Sequence, residues 1–319
     1  MNAANTTCKH ITADVKNADG REKIVLGEIF ISENAGEPLI CELEKTGHTI
    51  FRVKSTDAVY EAISAHPDIY MCRIKDTLIV DEASRTEPDL KSARGEEPDL
   101  KSARVESLRG CGINKIGQSG HVIYEASQIG REYPYDVAYN AVSTDKFFIH
   151  NIKYTSAALL SYARNAKLEI INVKQGYTKC SCVVAADNAI ITADASIVRS
   201  CRAYNEKLCA ESKDDHGRDD HGRDDHGRND LSRGDSDRQA LGRIDILEIE
   251  KGHVALEGFD YGFIGGASGD VDSIIYFNGN LLAHPDHKKI IEFITAHGKE
   301  VRYFEDYELT DIGSIIYLP

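Results

Sequence analysis

Two rhythms of apolar and polar residues alternate along this chain. Helical spacing runs through Pro38–Gly47, Val105–Gly112, Ala157–Lys167, Ala195–Tyr204 and His287–Gly298. In the last of these, Ile290, Ile291, Phe293 and Ile294 gather on one side of a 3.6-residue turn. Gly47, Gly112 and Gly298 stand where helices commonly end in a left-handed residue. Each helical stretch is followed by a short β-branched or aromatic run: HTIFRV, INKIGQ, EIINVK, IDILEI and KEVRYF. Polar hinges then lead into a further pair of apolar strands at His66–Asp81, Tyr133–His150, Tyr177–Asp194 and Asp260–Gly279, with a single strand at Thr310–Leu318. Asp76, Asp145, Asp187 and Asp272 mark the hairpin turns.

The pattern therefore predicts five imperfect copies of one helix–strand–strand unit. The fifth copy lacks a strand, and the chain opens on an orphan strand, Ile24–Ile31. Pairing of that strand with Gly313–Leu318 would close the five units into a ring without free sheet edges. The expected fold is α/β, a five-bladed pseudo-symmetric ββαβ propeller forming one domain over residues 24–319.

Some segments fall outside the repeat. Residues 1–23 are polar and predict a disordered tail. EPDLKSAR occurs at Glu87–Arg94 and again at Glu97–Arg104, and DDHGR occurs three times between Asp214 and Arg228. These charged tandem copies bury too little apolar surface to offset ordering entropy, which predicts surface insertions at 85–104 and 211–238. His216, His221 and His226 recur every five residues, a spacing that does not line one helix face, so no metal site is expected there.

Composition narrows the partners. The 319 residues carry a formal net charge of −14, which disfavours nucleic acid and anionic membranes as partners. No apolar run approaches the roughly 18 residues of a membrane span. The polar N-terminus lacks a secretory apolar core, and the eight cysteines form no zinc-type CxxC pair. A cytoplasmic protein with reduced thiols is expected. No GxGxxG or P-loop pattern occurs, so no cofactor is expected.

Equivalent positions in a ring converge on its axis. Asp68, Asp136, Lys179 with Cys180, Asp260 and Asp311 occupy the hinge of the five units, and are expected to form an acidic central site. Carboxylates so crowded should have raised pKa values unless a cation offsets them. A guanidinium, an amine or a metal ion would supply that offset, and a guanidine- or amine-bearing small molecule is the expected ligand. Alternatively each Asp caps backbone N–H groups at a strand start. Cys180 and Cys182 alternate along one expected strand, and Lys179 beside Cys180 would lower its pKa and make it a nucleophile. A small buried apolar role is the other reading of that thiol. The glycine-dense EGFDYGFIGGASG fits a tight turn between units or an anion cradle.

Three stretches, NVKQGYTKCSCVV, ALEGFDYGFIGGASG and LTDIGSIIYL, resemble a bacterial family of unknown function assigned to the guanidino-group-modifying, or pentein, fold. The resemblance spans about Ile24 to Leu318 apart from the insertions. It implies an amidinotransferase-like five-unit ring, with Asp68 and Asp136 at the positions of substrate-binding carboxylates. The superfamily's enzymes carry a His-x-Asp pair on the third unit and a cysteine on the last. Here those places read YTKCSC and TDIGSII. Two functions follow as expectations: hydrolase- or amidinotransferase-like modification of a guanidine or amine, or a non-catalytic binding or protein-interaction module of the same fold.

Overall fold

The computed structural model describes residues 26–81, 121–125, 129–214 and 242–319. Fifteen strands in these residues form five separate three-stranded sheets. The strands are β1 (Glu28–Ser32), β2 (Thr49–Val53), β3 (Met71–Ile74), β4 (Thr77–Asp81) and β5 (His121–Glu125). They continue with β6 (Val142–Ser143), β7 (Phe147–His150), β8 (Glu169–Asn172), β9 (Cys182–Ala186) and β10 (Ala189–Thr192). The last are β11 (Asp245–Glu248), β12 (Ser268–Val271), β13 (Ile274–Phe277), β14 (Glu300–Arg302) and β15 (Ile316–Leu318). The helices are α1 (Glu37–Glu44), α2 (Pro67–Tyr70), α3 (Ala157–Asn165), α4 (Thr178–Ser181), α5 (Ala195–Asp214) and α6 (His287–Ala296).

Every sheet has the same plan. An inner strand pairs antiparallel with the middle strand, which pairs parallel with the third. A parallel pair needs a crossover, and α1, α3, α5 and α6 supply it in four of the sheets. The predicted helix Val105–Gly112 and strand INKIGQ lie outside the described residues. The parallel strand of that sheet is β5, a few residues later than expected.

Local chemistry explains these helices. Ser156 caps α3 by accepting from the Leu159 N–H at 3.1 Å. Asp194 does the same for α5, accepting from Ser196 and Ile197 N–H. Ile290 and Ile294 of α6 are both fully buried, as their i,i+4 spacing requires. The two-residue turn between β12 and β13 places Asp272 and Ser273 at φ +51° and +66°, the left-handed pair that suits a tight hairpin. The tail 1–23 and the EPDLKSAR copies lie outside the described residues. So does the DDHGR tract, except that α5 continues to Asp214.

The predicted pairing of the chain's two ends is present. Glu28, Ile29 and Phe30 lie opposite Leu318, Tyr317 and Ile316 in an antiparallel ladder. The first sheet is thus built from both ends of the sequence. Phe30 is fully buried, stacks on Phe51 at 5.2 Å, and shares a core with Ile316 and Leu318. Inner strands β3, β6, β9, β12 and β15 all border one cavity of about 170 Å³. Among the described residues, no helix is long and apolar enough to cross a membrane.

Phe30→Ala removes a fully buried ring from the ladder that joins β1 to β15. It should destabilise the fold by about 3–5 kcal/mol in urea unfolding. A loss below about 1 kcal/mol would mean that the terminal pairing contributes little to the fold.

Candidate functional site

The hinges before the inner strands are single helical turns or tight turns, which carry side chains inward just before each strand begins. Asp68 lies in α2, ahead of β3, and Lys179 and Cys180 lie in α4, ahead of β9. Asn140 precedes β6, Gly265 and Gly266 precede β12, and Ser314 precedes β15. All five segments meet.

Asp68 is the hub. Its Oδ2 accepts from the Cys180 thiol at 2.9 Å and the Ser314 hydroxyl at 2.7 Å. Ser314 Oγ also lies 3.1 Å from the Gly265 carbonyl. Asn140 Nδ2 donates to Cys180 Sγ at 3.2 Å, and its Oδ1 accepts the Lys179 and Cys180 N–H groups. The Gly266 N–H donates to the Cys180 carbonyl at 2.8 Å. Each of the five hinges therefore holds at least one other.

Two further buried groups adjoin the hub. His66, at the start of α2, has Nδ1 3.9 Å from Asp311 Oδ1, too far for a hydrogen bond. Asp311 accepts from the Phe263 N–H at 2.8 Å and the Gly313 N–H at 3.0 Å. Asp136 accepts from Tyr177 Oη at 2.6 Å, and Tyr60 Oη lies 2.9 Å from that same phenol. His66 Nδ1, Asp68 Oδ1 and Asp136 Oδ1 are buried without a hydrogen-bond partner.

Glycine makes this crowding possible. A Cβ on Gly266 would sit 1.9 Å from Asp311 Oδ1, and one on Gly265 would sit 2.3 Å from the Cys182 carbonyl oxygen. Gly313, at φ +72°, would place a Cβ 2.1 Å from that of His66. The glycine-dense segment thus serves close backbone approach. Its Gly262 and Gly266 N–H groups are already committed to carbonyls.

Aromatic side chains cover the site on one side. Tyr133 lies 5.8 Å and Phe263 6.3 Å from Tyr177, centroid to centroid, and Phe259 lies 5.7 Å from Tyr60. Tyr133 and Phe259 are each about half exposed. This aromatic cluster therefore reaches solvent at Tyr133 and Phe259 and touches a buried carboxylate where Tyr177 donates to Asp136.

Burial dominates the electrostatics. It raises the Asp68 and Asp136 carboxyls above their ordinary range, against the opposing pull of their hydrogen bonds, and raises Asp311 to about 6. It lowers His66 to about 4, although the Asp68 charge opposes this, so the imidazole is neutral at pH 7. Cys180 is pushed well above the ordinary thiol value, first by burial and then by the charges of Asp68 and Asp311.

The sequence expectations meet this geometry unevenly. Asp68, Asp136, Cys180 and Asp311 are buried near one another as expected. The carboxylates are raised as expected, but burial is the leading cause and mutual repulsion is secondary. Asp311 takes the backbone-capping role, whereas Asp68 binds side chains. Asp260 does not join them. It is exposed, eight residues ahead of Ser268, and the matching hinge position is held by Gly265. Lys179 does not activate Cys180, because burial and two carboxylates outweigh it. Its side chain lines the cavity between the inner strands instead. Cys180 and Cys182 do not share a strand face. Cys180 lies in the turn α4 and Cys182 begins β9, so Cys180 joins the polar network while Cys182 packs with Val142, Phe147 and Ile190.

His66 is the residue that sequence reasoning missed. Its only signal was the HPD tripeptide, which recurs at His284–Asp286 beside a helix start. Nothing in the spacing connects His66 with Cys180. The structure places an imidazole nitrogen of His66, a carboxylate oxygen of Asp68 and the Cys180 sulfur within 4.8 Å of one another. The six cysteines among the described residues are free thiols.

His150 supports the α4 side of the site. It lies between Thr155 Oγ1 at 2.7 Å and the Gly176 carbonyl at 2.9 Å, just before Tyr177. Burial lowers its pKa to about 4 from an ordinary 6.5. The unfolded chain therefore binds a proton that the fold refuses, and the stability from this group is lost as pH falls from 6.5 towards 4. The unfolding free energy of wild type relative to His150→Gln should drop by roughly 3 kcal/mol between pH 7 and pH 4. Parallel profiles for the two proteins would show that His150 is not buried in its neutral form.

Fold and site together define a mixed α/β protein of five three-stranded sheets whose hinges meet in one buried polar network. The chain belongs to a family of unknown function, DUF6873, which matches residues 30–94, 97–214 and 237–316. No curated protein matches it closely enough to count as a relative.

Proposed function

We propose that the five units form a closed ring of the pentein type, and that the protein binds and modifies a small guanidine- or amidine-bearing cation at the Asp68–Cys180 site. The observation that carries this reading is the convergence of a thiol, an imidazole and buried carboxylates beside an aromatic cluster. Carboxylate oxygens with no donor, Asp68 Oδ1 and Asp136 Oδ1, suit the N–H groups of a planar cation. The aromatic cluster that meets Asp136 through Tyr177 offers ring faces that favour the same charge.

The ligand's charge would also activate the thiol. In the structure Cys180 is protonated and donates to Asp68. A bound cation offsets the carboxylates that hold the thiol's pKa up, so ionisation becomes easier only when substrate is present. The thiol proton would pass to neutral His66, and the sulfur would attack the electrophilic amidine or guanidine carbon as the C=N π pair moves to nitrogen; collapse of that adduct would break a C–N bond and release an amine that takes the His66 proton, leaving the amidino carbon on sulfur. The depth of burial and the protonated resting thiol favour a second reading, a non-catalytic binding module that holds the cation without covalent chemistry.

Chloroacetamidine, a cationic alkylating agent, and neutral chloroacetamide separate these readings by mass spectrometry of Cys180 in the presence of a chelator. The cationic reagent is expected to label Cys180 at least about tenfold faster, an advantage of ~1.4 kcal/mol. Asp68→Asn should bring the two rates together. Equal rates in the wild type would refute cation-assisted thiol chemistry. Protection against thermal unfolding by agmatine or arginine without any labelling would favour the binding module.

A further inference from the structure

We propose that His66, Asp68 and Cys180 form a binding site for a divalent transition-metal ion of the zinc class. Among the described residues, this is the one group of three histidine, cysteine or acidic side chains whose donor atoms approach within 4.8 Å of one another. All three residues are buried, at 3%, 1% and 3% exposure respectively. The proposal does not depend on the guanidine reading, because a metal ion would be a different occupant of the same place.

The unpaired atoms point to such an occupant. His66 Nδ1 and Asp68 Oδ1 are both sealed from solvent and have no hydrogen-bond partner. Leaving either group unsatisfied is costly, and two such groups beside a thiol call for a ligand. One imidazole, one carboxylate and one thiolate form a mixed N, O and S donor set. That set suits zinc or cobalt, whereas magnesium and calcium prefer oxygen alone.

Charge and support agree with this. On binding, the ion displaces the Cys180 proton to solvent and a sulfur–metal bond replaces the thiol's hydrogen bond to Asp68. One thiolate and one carboxylate then neutralise the ion's two positive charges, which a buried site requires. A second layer of groups already holds the donors: Asn140 binds Cys180, Ser314 holds Asp68 through Oδ2, leaving Oδ1 free, and Gly313 packs against His66. A metallated Cys180 cannot act as a nucleophile, so metal occupancy would switch off thiol chemistry at this site.

The test uses the full chain, stripped with a chelator, desalted and titrated with Co²⁺, with Zn²⁺ measured separately by elemental analysis after desalting. The expected result is one ion per chain, with a thiolate-to-cobalt charge-transfer band. Cys180→Ser should abolish the band. Asp68→Asn and His66→Gln should each weaken binding by more than the roughly tenfold typical for loss of an outer-layer partner. Circular dichroism identifies any variant that does not fold, and either remaining variant then decides. Cobalt bound without the thiolate band would place the ion elsewhere, for example on other histidines, and overturn the proposal. Unchanged stoichiometry and spectrum in the folded variants, or no retained metal in the wild type, would overturn it as well.

Discussion

The carboxylate of Asp68 is the constraint on which the centre of this protein depends. It is sealed from water and accepts from Cys180 and Ser314, residues 112 and 246 positions away. Through Asn140, Gly265 and Gly266 the same network reaches the remaining two hinges. Burying a carboxylate costs several kcal/mol unless hydrogen bonds offset the loss of hydration. The fold supplies two donors to one oxygen and leaves the other unpaired, so the carboxylate holds its neighbours through a single atom.

The surrounding architecture makes that arrangement possible. Each sheet contributes one inner strand, and each inner strand is preceded by a tight turn that aims its residues at a common place. Because the antiparallel ladder between β1 and β15 joins the chain's ends, the last hinge, with Ser314, is placed beside the first, with Asp68. Glycines at 265, 266 and 313 let the backbones approach closely enough for these bonds to form. Packing, closure and chemistry are thus linked: the polar contacts exist only where the five units come together.

Electrostatics at this centre run opposite to those of a thiol primed in its resting state. Desolvation keeps His66 neutral, the carboxyls raised and Cys180 protonated. Such a site responds to what enters it. Positive charge, whether organic or metallic, relieves the carboxylates and lowers the cost of ionising the thiol.

The repeating unit was legible in the sequence because it rests on local physics. Helical and extended apolar periods, Asp-containing turns and glycine stops repeat within short windows, and the orphan first strand identified its own partner at the far end of the chain. Asp68, Asp136, Cys180 and Asp311 could be nominated because they are polar groups in apolar strand approaches. What the local pattern did not contain was register across units. Asp260 looked equivalent to Asp68, but a tight turn at residues 263–267 shifts its unit, leaving glycine at the hinge. Nor did it contain the one-turn helix that takes Cys180 out of the strand begun by Cys182, or the balance of burial against the Lys179 charge. The meeting of His66, Asp68 and Cys180 was decided by tertiary structure alone. Residues far apart in sequence acquire a shared environment only when packing of the sheets and their hinges removes the water between them.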